Sequence, residues 1–249
     1  MALDALCFGA HPDDIELRCG GLAARLAAHG HAVGLVDLTQ GERASRGDVA
    51  TRAREAAEAA KRLGVALRVN LELPDTGLDA RSPEQLRRVV GCLREHRPAL
   101  VVAPDRHDEH PDHVEGSSLV ARACYLSGLA RFEAPGERFR PARLLFAIHR
   151  SGVTPHLLVD VSEVWEKRQA ALRAHASQLD PAAGPATYLT APGFLEAVEA
   201  RARAWGALAG VTHAEGYRVR GPLAVLDART LLGSPAEAGS NSRSGAARG

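Results

Sequence analysis

The sequence lacks a net charge of either sign and contains no block of basic residues. Its 31 Lys and Arg residues and 30 Asp and Glu residues give a formal net charge of +1, and the two signs are mixed along the chain. A protein that binds a nucleic-acid backbone needs a concentrated positive surface. We therefore expect no nucleic-acid partner.

Long apolar runs are also missing. No stretch of about 18 apolar residues occurs, and the chain does not open with a charged segment followed by an apolar one. These two absences predict a cytoplasmic protein that is not bound to a membrane.

The four cysteines show no C-x-x-C spacing, which argues against a zinc-thiolate site or a redox pair. Two of them lie within apolar runs, where a thiol behaves as a small hydrophobic group. We expect all four to be reduced residues in or near the core: Cys7, Cys19, Cys92 and Cys124.

What the chain does have is a regular alternation of strands and helices. With 249 residues and 45% hydrophobic residues, it is long enough for one sizeable domain. The alternation predicts an α/β, Rossmann-like fold, with an open, mostly parallel sheet and helices on both faces. The predicted strands are 3–10, 31–38, 67–71, 99–103, 144–149 and 157–161, and the predicted helices are 19–29, 49–63, 83–96, 113–128, 164–179 and 192–208.

The last residues of the chain differ in composition from the rest. From residue 233 onward the sequence is rich in Ser, Gly, Ala and Arg and has no large apolar side chain. Such a segment cannot bury enough apolar surface to fold. We therefore predict one domain over 1–232 and a disordered tail over 233–249.

Two loops carry dense sets of metal-binding side chains. One is 11–14 (His-Pro-Asp-Asp) after the first strand, and the other is 107–113 (His-Asp-Glu-His-Pro-Asp-His) after the fourth strand. Either loop alone could be ordinary, with Asp112 capping the next helix, for example. In doubly wound sheets, however, both loops lie at the carboxyl edge of the sheet, where ligands bind.

Such a set of side chains suits hydrolysis of an amide. That reaction needs a polarised carbonyl group, an activated water molecule and a proton donor for the leaving amine. Zinc with three protein ligands supplies the first two, and His with carboxylate is an ordinary ligand set. A carboxylate beside the metal could accept the proton of the water molecule.

At these residues the chain resembles the LmbE-like, or PIG-L-like, deacetylase family, whose opening A-H-P-D-D motif is matched by residues 10–14. Among its branches the chain is most similar to the N-acetylglucosaminyl-malate deacetylases of bacillithiol biosynthesis. The resemblance runs from about residue 3 to residue 225. Further matches are Glu16, Gly20-Gly21, 37–42, Arg46-Gly47, Arg52, Glu55, 110–113, Ser177-Gln178 and 215–217.

The resemblance implies a metal site and a catalytic base. His11, Asp14 and His113 would bind one zinc ion per subunit, and Asp13 would be the general base. A site of this kind also accepts iron(II), cobalt or manganese. The resemblance further implies a homo-oligomer, with a hexamer as one state, and a small N-acetylated sugar as substrate.

Four further residues receive roles from the same resemblance. His110 would stabilise the oxyanion or protonate the amine, with Asp112 orienting its ring. Arg52, and less strongly Arg46, would contact the substrate, because a guanidinium matches sugar hydroxyls or a carboxylate. The alternative for Arg52 is an exposed residue in the first turn of a helix, and for Arg46 a solvated loop residue.

Two departures from the pattern concern the substrate. Glu109 stands where the bacillithiol branch often has Arg, and its charge would repel a malate carboxylate. Arg18 replaces the small residue expected before Cys19-Gly20-Gly21. Both departures leave the deacetylase chemistry in place and weaken the malate assignment.

Other residues are closer to ordinary structural roles. His175 is expected to pack or cap on a helix, and Tyr188 to lie in a lid or in a surface loop. Trp165 and Trp205 are expected in the core or at a subunit contact.

Three hypotheses for function remain. The first is deacetylation of N-acetylglucosaminyl-malate or a close relative. The second is a deacetylase for a chito-oligosaccharide, a mycothiol-like glycoside or an antibiotic precursor. The third, a module that binds metal or sugar without turnover, is disfavoured as a nucleotide binder because no G-x-G-x-x-G motif follows the first strand.

Overall fold

The computed structural model describes residues 2–150 and 152–221, which form one seven-stranded sheet in the order β3-β2-β1-β4-β5-β7-β6. The strands are β1 (Ala5–Gly9), β2 (Val33–Thr39), β3 (Leu67–Leu73), β4 (Leu100–Pro104), β5 (Arg143–Ala147), β6 (Leu157–Asp160) and β7 (Ala214–Val219). The four pairs among β1 to β5 are parallel, and only β7 runs antiparallel to its neighbours β5 and β6. The predicted mostly parallel α/β sheet is confirmed.

Eight α-helices lie in the described part of the chain. They are α1 (Asp14–Arg18), α2 (Gly20–Ala28), α3 (Val49–Leu63), α4 (Pro83–His96), α5 (Pro111–Leu126), α6 (Trp165–Leu172), α7 (Ala176–Leu179) and α8 (Phe194–Ala209). Three short 3₁₀ helices cover Ser162–Val164, Pro181–Ala183 and Tyr188–Thr190. None of the helices in residues 2–150 and 152–221 is long and apolar enough to cross a membrane.

The ends of α3 and α4 follow directly from local chemistry. Asp48 accepts a hydrogen bond from the Thr51 amide at the start of α3, and Ser82 does the same for Gln85 at the start of α4. Helix α3 ends at Gly64, whose φ of 76° is a left-handed conformation that glycine adopts without strain. Both helices have the predicted bounds.

The sheet is buried on both faces, as a parallel sheet requires. Along β1, Leu6 and Phe8 pack into one apolar cluster with α4 and α5, whereas Ala5 and Cys7 pack into the other with α2 and α6. All four cysteines are buried and free, as expected.

The structure differs from the sequence prediction at three elements. Strand β7 was missed because its first residues include Glu215, a buried carboxylate that accepts hydrogen bonds from the amides of Gly21 and Leu22. The predicted helix 164–179 is divided into α6 and α7 and follows a 3₁₀ turn over Ser162–Val164, and the predicted helix 19–29 is preceded by the short helix α1. The proposed boundary at 232 and the tail 233–249 lie outside the described residues.

Candidate active site

The two loops rich in metal-binding side chains meet at the carboxyl edge of the sheet. His11 follows β1, whereas His110 and His113 lie at the start of α5, after β4. The His11 ring centroid lies 4.8 Å from that of His110 and 5.4 Å from that of His113, and the latter two are 4.5 Å apart. The fold therefore brings both loops into one site, as the strand order predicts.

The carboxylate of Asp14 lies between two imidazoles. Its Oδ2 is 3.4 Å from Nδ1 of His11, and its Oδ1 is 3.2 Å from Nε2 of His113. Ligand atoms about 2.0–2.1 Å from a tetrahedral zinc ion lie roughly 3.3 Å from one another. The Asp14 carboxylate is therefore spaced from each of the two histidines as ligands of such an ion are.

The other ring nitrogen of each histidine faces a second carboxylate. Nε2 of His11 lies 3.2 Å from Asp75 Oδ1, and Nδ1 of His113 lies 3.1 Å from Asp108 Oδ2. Metal-binding histidines commonly donate their second N–H to a carboxylate, which fixes the ring and its tautomer. The arrangement fits a divalent metal, with Asp75 and Asp108 as positioning residues.

The site is acidic enough to attract a cation. Burial alone would lower the pKa of His11, but the carboxylates of Asp112, Asp14 and Asp75 raise it well above its usual value. Burial would raise the pKa of Asp14, and His113, Arg18 and His11 hold it well below its usual value. A divalent ion would replace the protons that these contacts favour.

No role was predicted for Asp75 from the sequence, and Asp108 was not distinguished from the other residues of the loop 107–113. Asp75 follows β3 and so lies at the same sheet edge as His11, a position that could have drawn attention to it. In two groups of side chains, the potential ligand atoms lie within 4.8 Å of one another. One group is His11, Asp75 and Asp112, and the other is His11, His110 and His113. The structure thus offers additional oxygen and nitrogen donors around the predicted set.

Asp13, the predicted base, is buried beside the metal-binding residues. Its backbone has a φ of 154° and it precedes α1. Burial raises the pKa of Asp13, and the charge of Arg52 partly opposes that rise. A carboxylate whose pKa is raised in this way is a stronger base than an exposed one.

Arg52, predicted to contact the substrate, is instead turned inward. It is 3% exposed, and its Nη2 donates to Asp13 Oδ1 and to the Pro12 carbonyl oxygen, at 3.2 Å each. Nη1 donates to the carbonyl oxygen of Gly41. The guanidinium therefore holds the base and its loop, and a contact between Arg52 and the substrate stays a prediction from the sequence.

Arg46 is likewise placed in the protein interior. Its guanidinium donates to the backbone carbonyl oxygens of Ser177, Asp180 and Pro185. These contacts join the loop after β2 to the segment after α7. The N–H groups of Arg46 donate to backbone carbonyl oxygens and are not free to bind a sugar. The structure therefore gives Arg46 a role in holding two segments together, which was not predicted from the sequence.

His110 is exposed at the start of α5, where its Nδ1 accepts a hydrogen bond from the backbone amide of Asp112. Burial, together with the charges of His113 and His11, lowers the pKa of His110. A neutral ring that accepts at Nδ1 carries its proton on Nε2. His110 can therefore donate a hydrogen bond from Nε2.

The carboxylate of Asp112 does not contact His110 as the resemblance implies. Its oxygens accept hydrogen bonds from the amides of Thr76 and Leu78, and Oδ2 lies 3.4 Å from Nε2 of His11. The contact with His110 is made by the Asp112 backbone, because the helix start turns the side chain towards the loop after β3.

Four further residues were singled out from the sequence. His175 is fully buried, with Nε2 3.3 Å from Glu16 Oε2, so the expected packing role is what the structure gives it. Tyr188 is 62% exposed and its ring packs edge-on against Phe194. Trp165 and Trp205 are both buried, as expected for core aromatics.

The comparisons with known proteins identify a family of deacetylases. A family model described as GlcNAc-PI de-N-acetylase, PIG-L, matches residues 6–124. A 1D-myo-inositol 2-acetamido-2-deoxy-alpha-D-glucopyranoside deacetylase from Mycobacteroides abscessus is 30% identical, in a comparison that covers 68% of this chain and 79% of that protein.

Two solved structures show the same fold. A conserved protein from Thermus thermophilus is 39% identical with a TM-score of 0.82, over 90% of this chain and 97% of that one. The N,N'-diacetylchitobiose deacetylase from Pyrococcus horikoshii is 26% identical with a TM-score of 0.76, over 87% and 83%. The two relatives described above whose names state an activity are deacetylases, and the chain itself belongs to the PIG-L family of de-N-acetylases.

Proposed function

We propose that the chain hydrolyses the acetamide of an N-acetylglucosaminide, with N-acetylglucosaminyl-malate as its preferred substrate, to give glucosaminyl-malate and acetate in bacillithiol biosynthesis. The observation that carries the proposal is the buried Asp13, adjacent in the chain to Asp14, which bridges His11 and His113. A base beside a three-ligand metal site is what amide hydrolysis needs.

Zinc held by His11, Asp14 and His113 would polarise the acetyl carbonyl and lower the pKa of the attacking water. Asp13 accepts the proton of that water, and Arg52 keeps its carboxylate in place through the contact at 3.2 Å. Asp14 has both oxygens turned to histidines, so the two adjacent carboxylates serve different purposes.

The ring centroid of His110 lies 4.5 Å from that of His113, and His110 offers the Nε2–H described above. A hydrogen bond from this group to the developing oxyanion would stabilise the transition state more than the substrate. The lowered pKa of His110 supports donation by a neutral ring over protonation of the amine.

The surroundings of the site support an anionic aglycone. Arg150 Nη2 lies 2.6 Å from Glu109 Oε2, so the charge that argued against malate from the sequence is compensated. The charge of Arg201 interacts with that of Arg18 in the site, its guanidinium lies over the ring of Trp205, and the ion pairs among the described residues include none to Arg201. Burial, with the charges of Arg168 and Arg18, lowers its pKa to about 10, and an anion would relieve that repulsion.

A panel of substrates tests the proposal. We expect acetate release with a higher kcat/KM on N-acetylglucosaminyl-malate than on diacetylchitobiose or an N-acetylglucosaminyl-inositol. Equal rates with and without the malate group would remove the preferred substrate and leave the deacetylase. The oligomeric state and the cytoplasmic location remain predictions from the sequence.

A further inference from the structure

Arg18 places a positive charge directly among the proposed metal ligands. The residue is the last of α1 and is 4% exposed. Its Nη2 lies 3.3 Å from Asp14 Oδ1 and 2.7 Å from Nδ1 of His113, and its Nη1 donates to Asp108 Oδ2 at 3.0 Å. A small residue is expected at this position from the family resemblance, so Arg18 departs from the expected pattern.

The guanidinium and a metal ion compete for the same atoms. Asp14 Oδ1 and the His113 ring, each contacted by Arg18, are two of the three proposed ligands. Two cations so close together in a buried site repel each other strongly, because little water separates them. Metal can bind fully only if the guanidinium gives up both of these contacts.

The competition between Arg18 and a metal ion also depends on which ring nitrogen of His113 carries the proton. When Arg18 donates to Nδ1, the neutral ring carries its proton on Nε2, which faces Asp14 Oδ1 at 3.2 Å and has no lone pair for a metal. When Nδ1–H instead donates to Asp108, 3.1 Å away, Nε2 is free to bind. The two arrangements exclude each other.

Asp108 is a carboxylate partner that Arg18 can keep when its guanidinium moves away from Asp14 and His113. Its carboxylate accepts from Nη1 of Arg18 and lies 4.0 Å from Nε of Arg150. A guanidinium that withdraws from Asp14 and His113 therefore keeps a carboxylate partner and is not left unpaired in the interior.

We propose that Arg18 is an internal counter-cation that stabilises the metal-free site and lowers its affinity for metal. The inference rests on the metal site of the proposed function and is independent of the substrate. It predicts that metal binding and the Arg18 contacts to Asp14 and His113 are mutually exclusive.

Zinc affinity of neutral variants tests the proposal. Arg18→Met and Arg18→Gln, purified with zinc and then stripped, are titrated against a chromophoric chelator and compared with the unaltered protein. We expect both to bind zinc at least about tenfold more tightly, and Arg18→Lys, which keeps the charge, to stay within about threefold. Arg25→Met serves as a matched control, because Arg25 pairs with Asp160 outside the site, and is expected to leave the affinity unchanged.

Thermal unfolding gives a second readout. The neutral Arg18 variants should unfold at lower temperature than the unaltered protein without metal and at the same or a higher temperature with zinc. Arg18→Gln keeps hydrogen-bonding groups for Asp14 and Asp108, so it preserves the test if the Met variant does not fold without metal.

Unchanged or weaker zinc binding by the neutral variants would overturn the proposal, as would an Arg18→Lys protein that behaves like them. No sugar is present in these titrations. A zinc-loaded protein that releases no acetate therefore counts against the proposed function and leaves the Arg18 inference standing.

Discussion

Arg52 Nη2 lies 3.2 Å from Asp13 Oδ1, and both side chains are buried. This contact joins helix α3 to the loop that follows β1. It makes Arg52 a positioning residue for the proposed base.

Replacing Arg52 by Lys therefore distinguishes a role in positioning Asp13 from a role in binding the substrate. The lysine keeps the charge but loses the fork that reaches Asp13, Pro12 and Gly41, so we expect kcat to fall at least about tenfold while KM stays within about twofold. Steady-state kinetics on the best substrate of the panel measure both constants. A raised KM with an unchanged kcat would return Arg52 to the substrate-binding role predicted from the sequence.

Asp75 orients His11 in the present account, although it is not itself a proposed ligand. Asp75→Asn should weaken zinc binding by about 10–100-fold, because the carboxylate that accepts from His11 Nε2 is lost. Asp79→Asn, at an exposed position in the same loop, is the control and should bind zinc normally. The zinc affinity of both variants is measured by competition with a chelator. Equal affinities of the two variants would contradict the proposed role of Asp75 in orienting His11.

Gly41 gives Arg52 the space to reach Asp13. A Cβ atom on Gly41 would lie 2.0 Å from Arg52 Nη1, and the φ of 66° adds backbone strain. Gly210 has a similar φ of 72°, but a Cβ there meets no atom within 4 Å. We expect Gly210→Ala to cost about 1 kcal/mol of stability with full activity.

The matched Gly41→Ala protein should lose more stability and most of its activity, because the Arg52 guanidinium must move. Denaturant unfolding and acetate release measure the two effects. Equal losses for both alanine variants would show that Arg52 needs no such space.

Glu16 links stability to pH. Burial would raise the pKa of this fully buried carboxyl, but Arg68, whose Nη1 lies 2.6 Å away, and His175 lower it to about 2. The pKa in the folded state is below the usual value of about 4.3, so the contribution is present above that value and is lost as pH falls towards 2. Its size is about 3 kcal/mol at most.

Glu16→Gln should therefore be less stable than the unaltered protein at pH 7 and lose less stability between pH 5 and pH 3. Thermal unfolding across this range measures both slopes. Glu58→Gln, which removes an exposed pair with Arg62, should keep the steep slope. Parallel slopes for the Glu16 variant and the unaltered protein would contradict the assignment.

The sequence predicts most of the sheet, and the meeting of the two loops that carry the proposed metal ligands, for clear physical reasons. Parallel strands are short apolar runs, and the loops that follow them meet at one edge, so His11 and His113 could be placed together before any coordinates. Helices α3 and α4 carry their own capping residues, which fixed their bounds.

What the sequence could not supply are contacts between distant segments. Asp75 and Asp108 are ordinary loop acids until the fold sets them against the histidines. An arginine in a helix gives no sign of its partner, so Arg52 was assigned to the substrate and Arg18 was noted only as a departure. Strand β7 was missed because Glu215 makes its buried face polar.

The most direct test of the central claim is acetate release as a function of bound zinc. Stripped protein is reconstituted stepwise, and zinc content and acetate release from N-acetylglucosaminyl-malate are measured on the same samples, with Asp13→Asn in parallel. We predict activity that rises in proportion to zinc up to one ion per chain, and an Asp13→Asn protein that binds the same zinc but is at least about 100-fold slower. Acetate release without metal, or near-normal turnover by the fully loaded Asp13→Asn protein, would contradict the account.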